Sequence, residues 1–183
     1  KALAEFTLAV QRGVQLPDLC RERGRILLAH GRTTDAISDF DNVLTAEPDD
    51  IETRLKRAAL YRGLAIENKA ASREFNDRAL ADLQILDRQA GTPEVWESLA
   101  TLLESKGSIE AAASYYQRVL AAKPTPGAAC ALGRLAEARG APLDAAEFYR
   151  RALSFQADHV PALSAYARIL HDFGEAAKAR RVA

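Results

Sequence analysis

The side chains able to carry chemistry are few and scattered. His30, His159 and His171 fall in three separate settings, and no segment pairs histidines at metal-ligand spacing. Cys20 and Cys130 stand more than half the chain apart, too far to suggest a disulfide framework or a metal motif. They are expected as small buried apolar groups on helices. Asp39-Phe40-Asp41 sets two carboxylates on either side of an aromatic residue. If Phe40 points into a core, a helix sends its two neighbours to the flanks, so Asp39 and Asp41 are expected on the surface. The sequence has no Gly-rich phosphate loop, no G-x-S-x-G and no Cys–His signature. The expectation is no enzyme, with no catalytic residue, cofactor or metal. What the chain does have is arginine, which far outnumbers lysine. Guanidinium forks suit carboxylates.

Helices must position these groups. Ala, Leu, Arg and Glu are abundant and are good helix formers, and no run of β-branched and aromatic residues alternates like a strand. The 25 basic residues balance 25 acidic ones. A nucleic-acid or membrane-surface protein usually needs a basic excess, so neither partner is expected. No apolar run is long enough to span a bilayer, and no signal peptide is visible. The chain starts at Lys1 without an initiator Met, so a longer parent protein is expected. A soluble protein of cytoplasm or periplasm fits these features.

One pattern recurs. Numbering from Pro93, Trp96 stands at position 4, Leu99 at 7, Ala100 at 8, Leu103 at 11, Gly107 at 15, Ala112 at 20, Tyr116 at 24, Val119 at 27 and Pro124 at 32. Large residues three or four apart share one face of a helix. Gly107 interrupts the first face and a second begins after it, which makes a helix–turn–helix hairpin. From Pro17 the same positions hold Arg23, Gly24, Leu27, Gly31, Ala36, Phe40, Val43 and Pro48. From Pro126 they hold Leu132, Gly133, Ala136, Gly140, Ala145, Tyr149 and Ala152, with Ala157 where the closing proline stood. Small residues at 8 and 20 let two helices approach closely, and the aromatic at 24 fills the space beside them. Residues 51–92 form a longer unit. Its surplus is eight residues over the 34-residue period, about one extra turn in each helix, with Glu67–Arg73 as the tip. Residues 1–16 fit a second helix, with Ala2, Phe6 and Ala9 each one repeat period before Ala36, Phe40 and Val43. From Val160, the residues Leu163, Tyr166, Ala167, Leu170, Gly174 and Ala179 open a last unit, with Gly174 as its turn.

This pattern resembles the tetratricopeptide repeat (TPR) family across essentially the whole chain. The units are 1–16, 17–50, 51–92, 93–125, 126–159 and 160–183, the first and last being half-units. The resemblance implies an all-α fold, a right-handed α-solenoid of antiparallel helix pairs whose first helices line a concave groove. It also implies a scaffold that binds a partner peptide or protein there. Stacking gives the same architecture on physical grounds, because one hairpin cannot bury its apolar face alone. The exposed half-units suggest a fragment of a longer protein or self-association end to end. Ala and Arg richness hints at a bacterial source. As alternatives, the array recruits substrate for a larger enzyme such as a glycosyltransferase, some of which carry a D-x-D like that at Asp39–Asp41, or it is a self-assembling repeat protein.

In the family, positions 2, 5, 9, 12 and 13 face the groove. The resemblance therefore makes Arg21, Arg25, Arg62, Glu97, Thr101, Arg134 and Arg168 candidate partner-binding residues. Arg21, Arg25 and Arg62 would cluster at one end and suit an acidic peptide. The competing expectation pairs these arginines with Asp18, Glu22, Glu52 and Glu97, or leaves them solvated. The Lys/Asn clamp some family members use for a C-terminal carboxylate is absent: Arg21 and Arg25, then Lys56, then Glu94 and Ser98 occupy its positions.

Overall fold

The structure, a computed structural model, describes Glu5, Leu8 and residues 17–182, with side chains placed through Gly174. The half-unit read at 1–16 therefore lies outside the described residues, apart from Glu5 and Leu8, which are helical. Every regular element among the described residues is an α-helix: α1 (Pro17–Ala29), α2 (Thr33–Ala46), α3 (Ile51–Glu67), α4 (Ser72–Ala90), α5 (Pro93–Ser105), α6 (Ile109–Ala122), α7 (Pro126–Ala138), α8 (Pro142–Phe155) and α9 (Val160–Val182). Consecutive helices pair as antiparallel hairpins, α1/α2, α3/α4, α5/α6 and α7/α8. The chain divides into two compact units, residues 1–91 and 92–183.

In the first unit, Gly24 explains how closely α1 and α2 approach. A Cβ there would lie 2.7 Å from the Phe40 ring, so only hydrogen fits. Gly31 turns the chain between them with φ +72°, in the left-handed region that favours glycine. Asp50 then caps α3, accepting the Thr53 N–H at 3.0 Å and the Thr53 hydroxyl at 2.6 Å. The second hairpin is longer than the first. Its helices run 17 and 19 residues against 13 and 14, about one further turn each. Tyr61 and Phe75 stack across it with ring centroids 6.3 Å apart.

Asp41 is exposed, as expected, but the expectation for Asp39 requires a correction. Phe40 is buried, but Asp39 is buried with it, at 0% exposure. Arg23 donates to it through Nε at 2.7 Å and through Nη2 in a second short contact. Arg23 and Asp39 occupy repeat positions filled by Leu99 and Tyr115 in the third hairpin and by Leu132 and Phe148 in the fourth. Close packing leaves no water there for an isolated charge, so the two ions must pair. A second buried carboxylate, Asp82, accepts from Arg57 at 2.6 and 2.8 Å and from Arg54 at 3.3 Å. Arg57 also donates to Asp41 at 2.6 Å. Both carboxylates of the Asp-x-Asp pair are thus engaged by arginines, and no group of three or more His, Cys, Asp or Glu among the described residues is placed to hold a metal ion.

The second unit repeats the hairpin with apolar contacts. Thr92 and Thr125 cap α5 and α7 through their hydroxyls, each followed by a proline at the first helical position. Gly107 and Gly140 turn with φ +76° and +73°. Ala100, Ala112, Tyr116, Val119, Leu132, Ala136, Ala145, Tyr149, Ala152, Ala162 and Ile169 belong to one continuous core. Gly174, read as the next turn, differs from the others. The helix α9 runs through it as far as Val182, and its φ is not positive. Glu175 to Arg180 are good helix formers. Propagating a helix past one glycine costs only about 1 kcal/mol, whereas a turn gains only what the returning helix buries.

Candidate partner-binding face

The arginines of the first unit are held by acids. Arg21 donates to Glu47 at 2.6 Å and to Asp50 at 2.9 and 3.2 Å, and it also pairs with Asp18. Arg25 donates to Glu22 at 2.8 Å and to Glu52 at 3.1 Å. Arg62 is half-buried on α3, nearly three helical turns beyond Glu52. A shallow hollow beside Arg21 is lined by Glu47, Pro48, Asp49, Asp50 and Glu52, so carboxylates outnumber the one guanidinium there. Burial disfavours the charged form of Asp50, but hydrogen bonds from Thr53 and Arg21 outweigh it and hold its carboxyl below the ordinary range. Burial in turn opposes the charge on Arg21, but Asp50 and Glu47 outweigh it and hold the guanidinium more firmly protonated than usual.

The second unit repeats a three-residue arrangement on the face shared by α5, α7 and α9. The Tyr116 hydroxyl on α6 donates to Glu104 of α5 at 3.1 Å. Arg134 of α7 pairs with the same carboxylate at 3.1 and 3.3 Å. One repeat later, the Tyr149 hydroxyl on α8 donates to Glu137 of α7 at 2.5 Å, and Arg168 of α9 pairs with Glu137. Tyrosine, glutamate and arginine thus each recur after one repeat period, from Tyr116 to Tyr149, Glu104 to Glu137 and Arg134 to Arg168. Each tyrosine ring is buried while its oxygen reaches the face. The arginine side chains stay 56% and 55% exposed, so donors of each five-donor guanidinium still face water. Thr101 donates to the Glu97 carbonyl at 2.8 Å and lies 3.3 Å from the Tyr116 hydroxyl. Glu97 itself is exposed.

Charge and burial shape the titration of these groups. Burial opposes the ionised form of Glu137, yet Tyr149 and Arg168 overcome it and keep that carboxyl below the ordinary range. Tyr149 is pushed well above an ordinary phenol by burial and then by Glu137. Cys20 and Cys130 are free and buried, and burial raises both thiols, which leaves little thiolate for chemistry.

The structure thus brings Arg134 and Arg168 into equivalent settings one repeat apart, with Thr101 beside the first. The glutamate and tyrosine partners were not among the candidate residues. The tyrosines at position 24 read as fillers of the core, and Glu104 and Glu137 as groove positions without a role. The available signal was their joint recurrence: in the first hairpin the corresponding residues are Phe40 and Leu28, which can form no such link.

A family model described as tetratricopeptide repeat matches residues 68–129 and 98–161, together more than half of the chain. Solved structures share the fold. The crystal structure of MamA protein superposes with a TM-score of 0.75 at 20% identity, covering 90% of this chain and 86% of that one. TTC0263, a thermophilic TPR protein in Thermus thermophilus, gives a TM-score of 0.62 at 20% identity, with 92% and 88% covered. MamA 41-end from Desulfovibrio magneticus RS-1 gives 0.67 at 15% identity, with 86% and 94% covered. No curated protein matches the sequence.

Proposed function

The chain belongs to the tetratricopeptide repeat family, and from that premise we propose that it holds an extended segment of a partner protein on the α5/α7/α9 face. Arg134 and Arg168 are the anchors and Glu97 and Thr101 their neighbours. The carrying observation is the repeated tyrosine–glutamate–arginine arrangement. A buried ring fixes the glutamate, the glutamate fixes one edge of the guanidinium, and the remaining donors are presented to solvent in a set geometry. Fewer rotamers are then lost when a carboxylate or carbonyl of the partner binds. In this proposal Arg21, Arg25 and Arg62 form a second contact surface on the first unit. Its arginines Arg21 and Arg25 carry their own counter-ions, so a partner engages them by exchanging one carboxylate for another. No chemical step is assigned: the scaffold recruits.

Affinity capture with mass spectrometry tests this, using the wild-type chain, Arg134→Gln/Arg168→Gln, and Arg150→Gln/Arg151→Gln on the exposed side of α8. Glutamine avoids setting a new carboxylate against Glu104 or Glu137. A partner kept by the wild type and the α8 variant and lost by the first variant supports the proposal. Equal capture by all three refutes it. For the first unit, Arg21→Gln/Arg25→Gln is the suitable variant, because Arg21→Glu would place a fourth carboxylate beside Asp18, Glu47 and Asp50.

A further inference from the structure

Arg134 and Arg168 recur in space as well as in sequence, and the step between them limits what can bind both. Each reaches from its own helix to a glutamate on the first helix of the preceding hairpin, Arg134 from α7 to Glu104 of α5 and Arg168 from α9 to Glu137 of α7. Each guanidinium therefore lies over the junction between two successive first helices. Packed helices stand about 8–10 Å apart, so the two sets of water-facing donors are offset by one such step. The corresponding residue of α5 is Thr101, whose hydroxyl proton is committed to the Glu97 carbonyl at 2.8 Å. The donors of this row are thus Arg134 and Arg168.

Charge and backbone geometry then narrow the acceptor. Glu97 and Glu104 lie beside Arg134, and Glu137 and Asp172 beside Arg168. A further carboxylate brought here meets a negative field, whereas a neutral carbonyl oxygen accepts from the guanidinium without that penalty. An α-helix spends its carbonyls internally except in its last turn. A β-strand repeats every two residues, about 6.7 Å, and misses the step. A polyproline II segment makes no internal hydrogen bonds and has three residues per turn, so equivalent free carbonyls recur about every 9.3 Å.

We propose that the α5/α7/α9 face takes a proline-rich, uncharged partner segment in the polyproline II conformation, with carbonyls three residues apart accepting from Arg134 and Arg168. This inference rests on the partner-binding reading and deepens it by naming the partner's backbone. The rings of Tyr116 and Tyr149 are buried and offer no face on which proline could stack. The backbone is what is read, and proline contributes by forming the segment before it binds.

Titrating the whole chain with three peptides, followed through the arginine Nε–H signals in NMR, provides the test. The peptides, each about a dozen residues long, repeat alanine-proline-proline, glutamate-proline-proline or alanine-glycine-serine. The first should shift the signals of Arg134 and Arg168, leave that of Arg150 in place, and bind more tightly than the flexible third. Arg134→Gln and Arg168→Gln should each weaken it about tenfold, the loss of one hydrogen bond. Its affinity should hold from low to high salt, because the peptide brings no charge to screen. A proline-rich peptide that moves neither signal at millimolar concentration overturns the proposal, as does undiminished binding by both variants. Equal binding of the flexible peptide overturns it too, and so does tighter binding of the glutamate peptide, which would mean that carboxylates are read. A protein captured through Arg134 and Arg168 beside a silent alanine-proline-proline peptide overturns this inference alone and leaves the partner-binding proposal standing.

Discussion

Replacing Gly133 by alanine sets two effects against each other, and the structure decides between them. Alanine in place of glycine stabilises a helix interior by up to about 1 kcal/mol. The added Cβ, however, would lie 2.6 Å from Tyr149 Cε1 and 2.8 Å from both Cδ1 and Cζ, where carbon atoms rest comfortably at about 3.5–4.0 Å. The ring would have to retreat by about 1 Å. It has no room to do so, being 0% exposed, packed in the same core as Ala145 and Ala152, and tethered by its hydroxyl to Glu137 at 2.5 Å. Overpacking of this kind costs about 1–3 kcal/mol. Gly127 lies on the same helix, and a Cβ there meets nothing within 4 Å. Gly127→Ala therefore reports the helix-propensity gain, and its distance from Gly133→Ala reports the clash. The expected difference is about 1–3 kcal/mol in urea unfolding followed by far-UV circular dichroism, with unchanged m-values. Tyr149→Leu in the Gly133→Ala background should recover part of it, because the ring that clashes is gone. If Gly133→Ala proves as stable as Gly127→Ala, the close approach of α7 and α8 is wrong.

Three further outcomes are expected. Asp39→Ala strands the Arg23 guanidinium in the core and should cost about 3–5 kcal/mol, whereas Arg23→Leu/Asp39→Leu should return to within about 1 kcal/mol of wild type or exceed it; a double variant as weak as the single one refutes the pairing. Tyr149→Phe keeps the ring, as Phe40 does in the first hairpin, but removes the hydrogen bond to Glu137. It should cost about 1 kcal/mol and move the Glu137 carboxyl, followed by NMR, up toward its ordinary value; a carboxyl that does not move refutes the link. The third concerns acid. Asp50 and Glu137 are held below their ordinary values in the folded chain, so they stabilise it above the unfolded carboxylate range of about 4 and lose that contribution as the pH falls through their folded values. The urea midpoint should stay level from neutrality to about pH 5 and decline below about pH 4, and the decline should be shallower in Arg168→Gln; a midpoint indifferent to acid refutes it.

The helix pairs were legible because three constraints coincided at fixed spacing. Gly24 or Gly133 can only face a large ring, Phe40 and Tyr149 supply it, and Gly31, Gly107 and Gly140 mark the reversals. What escaped was chemistry that periodicity ranks by residue type alone. Asp39 looked like a surface carboxylate because aspartate usually is one. The contrary sign was Arg23 at a core position, where Leu99 and Leu132 stand elsewhere: a charge there demands a charge opposite. Gly174 misled in the other direction. A glycine at the turn position permits a reversal without forcing it, and only a packed second helix rewards one. Position 24 hid the most. Tyrosine and phenylalanine fill a core equally well, so a pattern that counts aromatics cannot separate Phe40, which only fills, from Tyr116 and Tyr149, whose oxygens reach the face.

That difference separates the two units in how the proposed contacts would couple to stability. In the first, Arg21 and Arg25 are held by Asp18, Glu22, Glu47, Asp50 and Glu52, residues at helix ends, in the connecting loop or on exposed turns. The Arg25 pairs with Glu22 and Glu52 are exposed on both sides, so removing one exchanges one solvated contact for another, and such pairs contribute at most about 1 kcal/mol. In the second, Glu104 and Glu137 receive their hydrogen bonds from the phenols of core residues. Whatever displaces Arg168 from Glu137 alters the charge felt by Tyr149, which packs on Gly133 at the centre of the hairpin. Under the proposed function, a ligand that takes over the Arg168 guanidinium would act on the same hydroxyl that helps hold α7 to α8, and Tyr149 would link binding there to the rigidity of the hairpin beneath it.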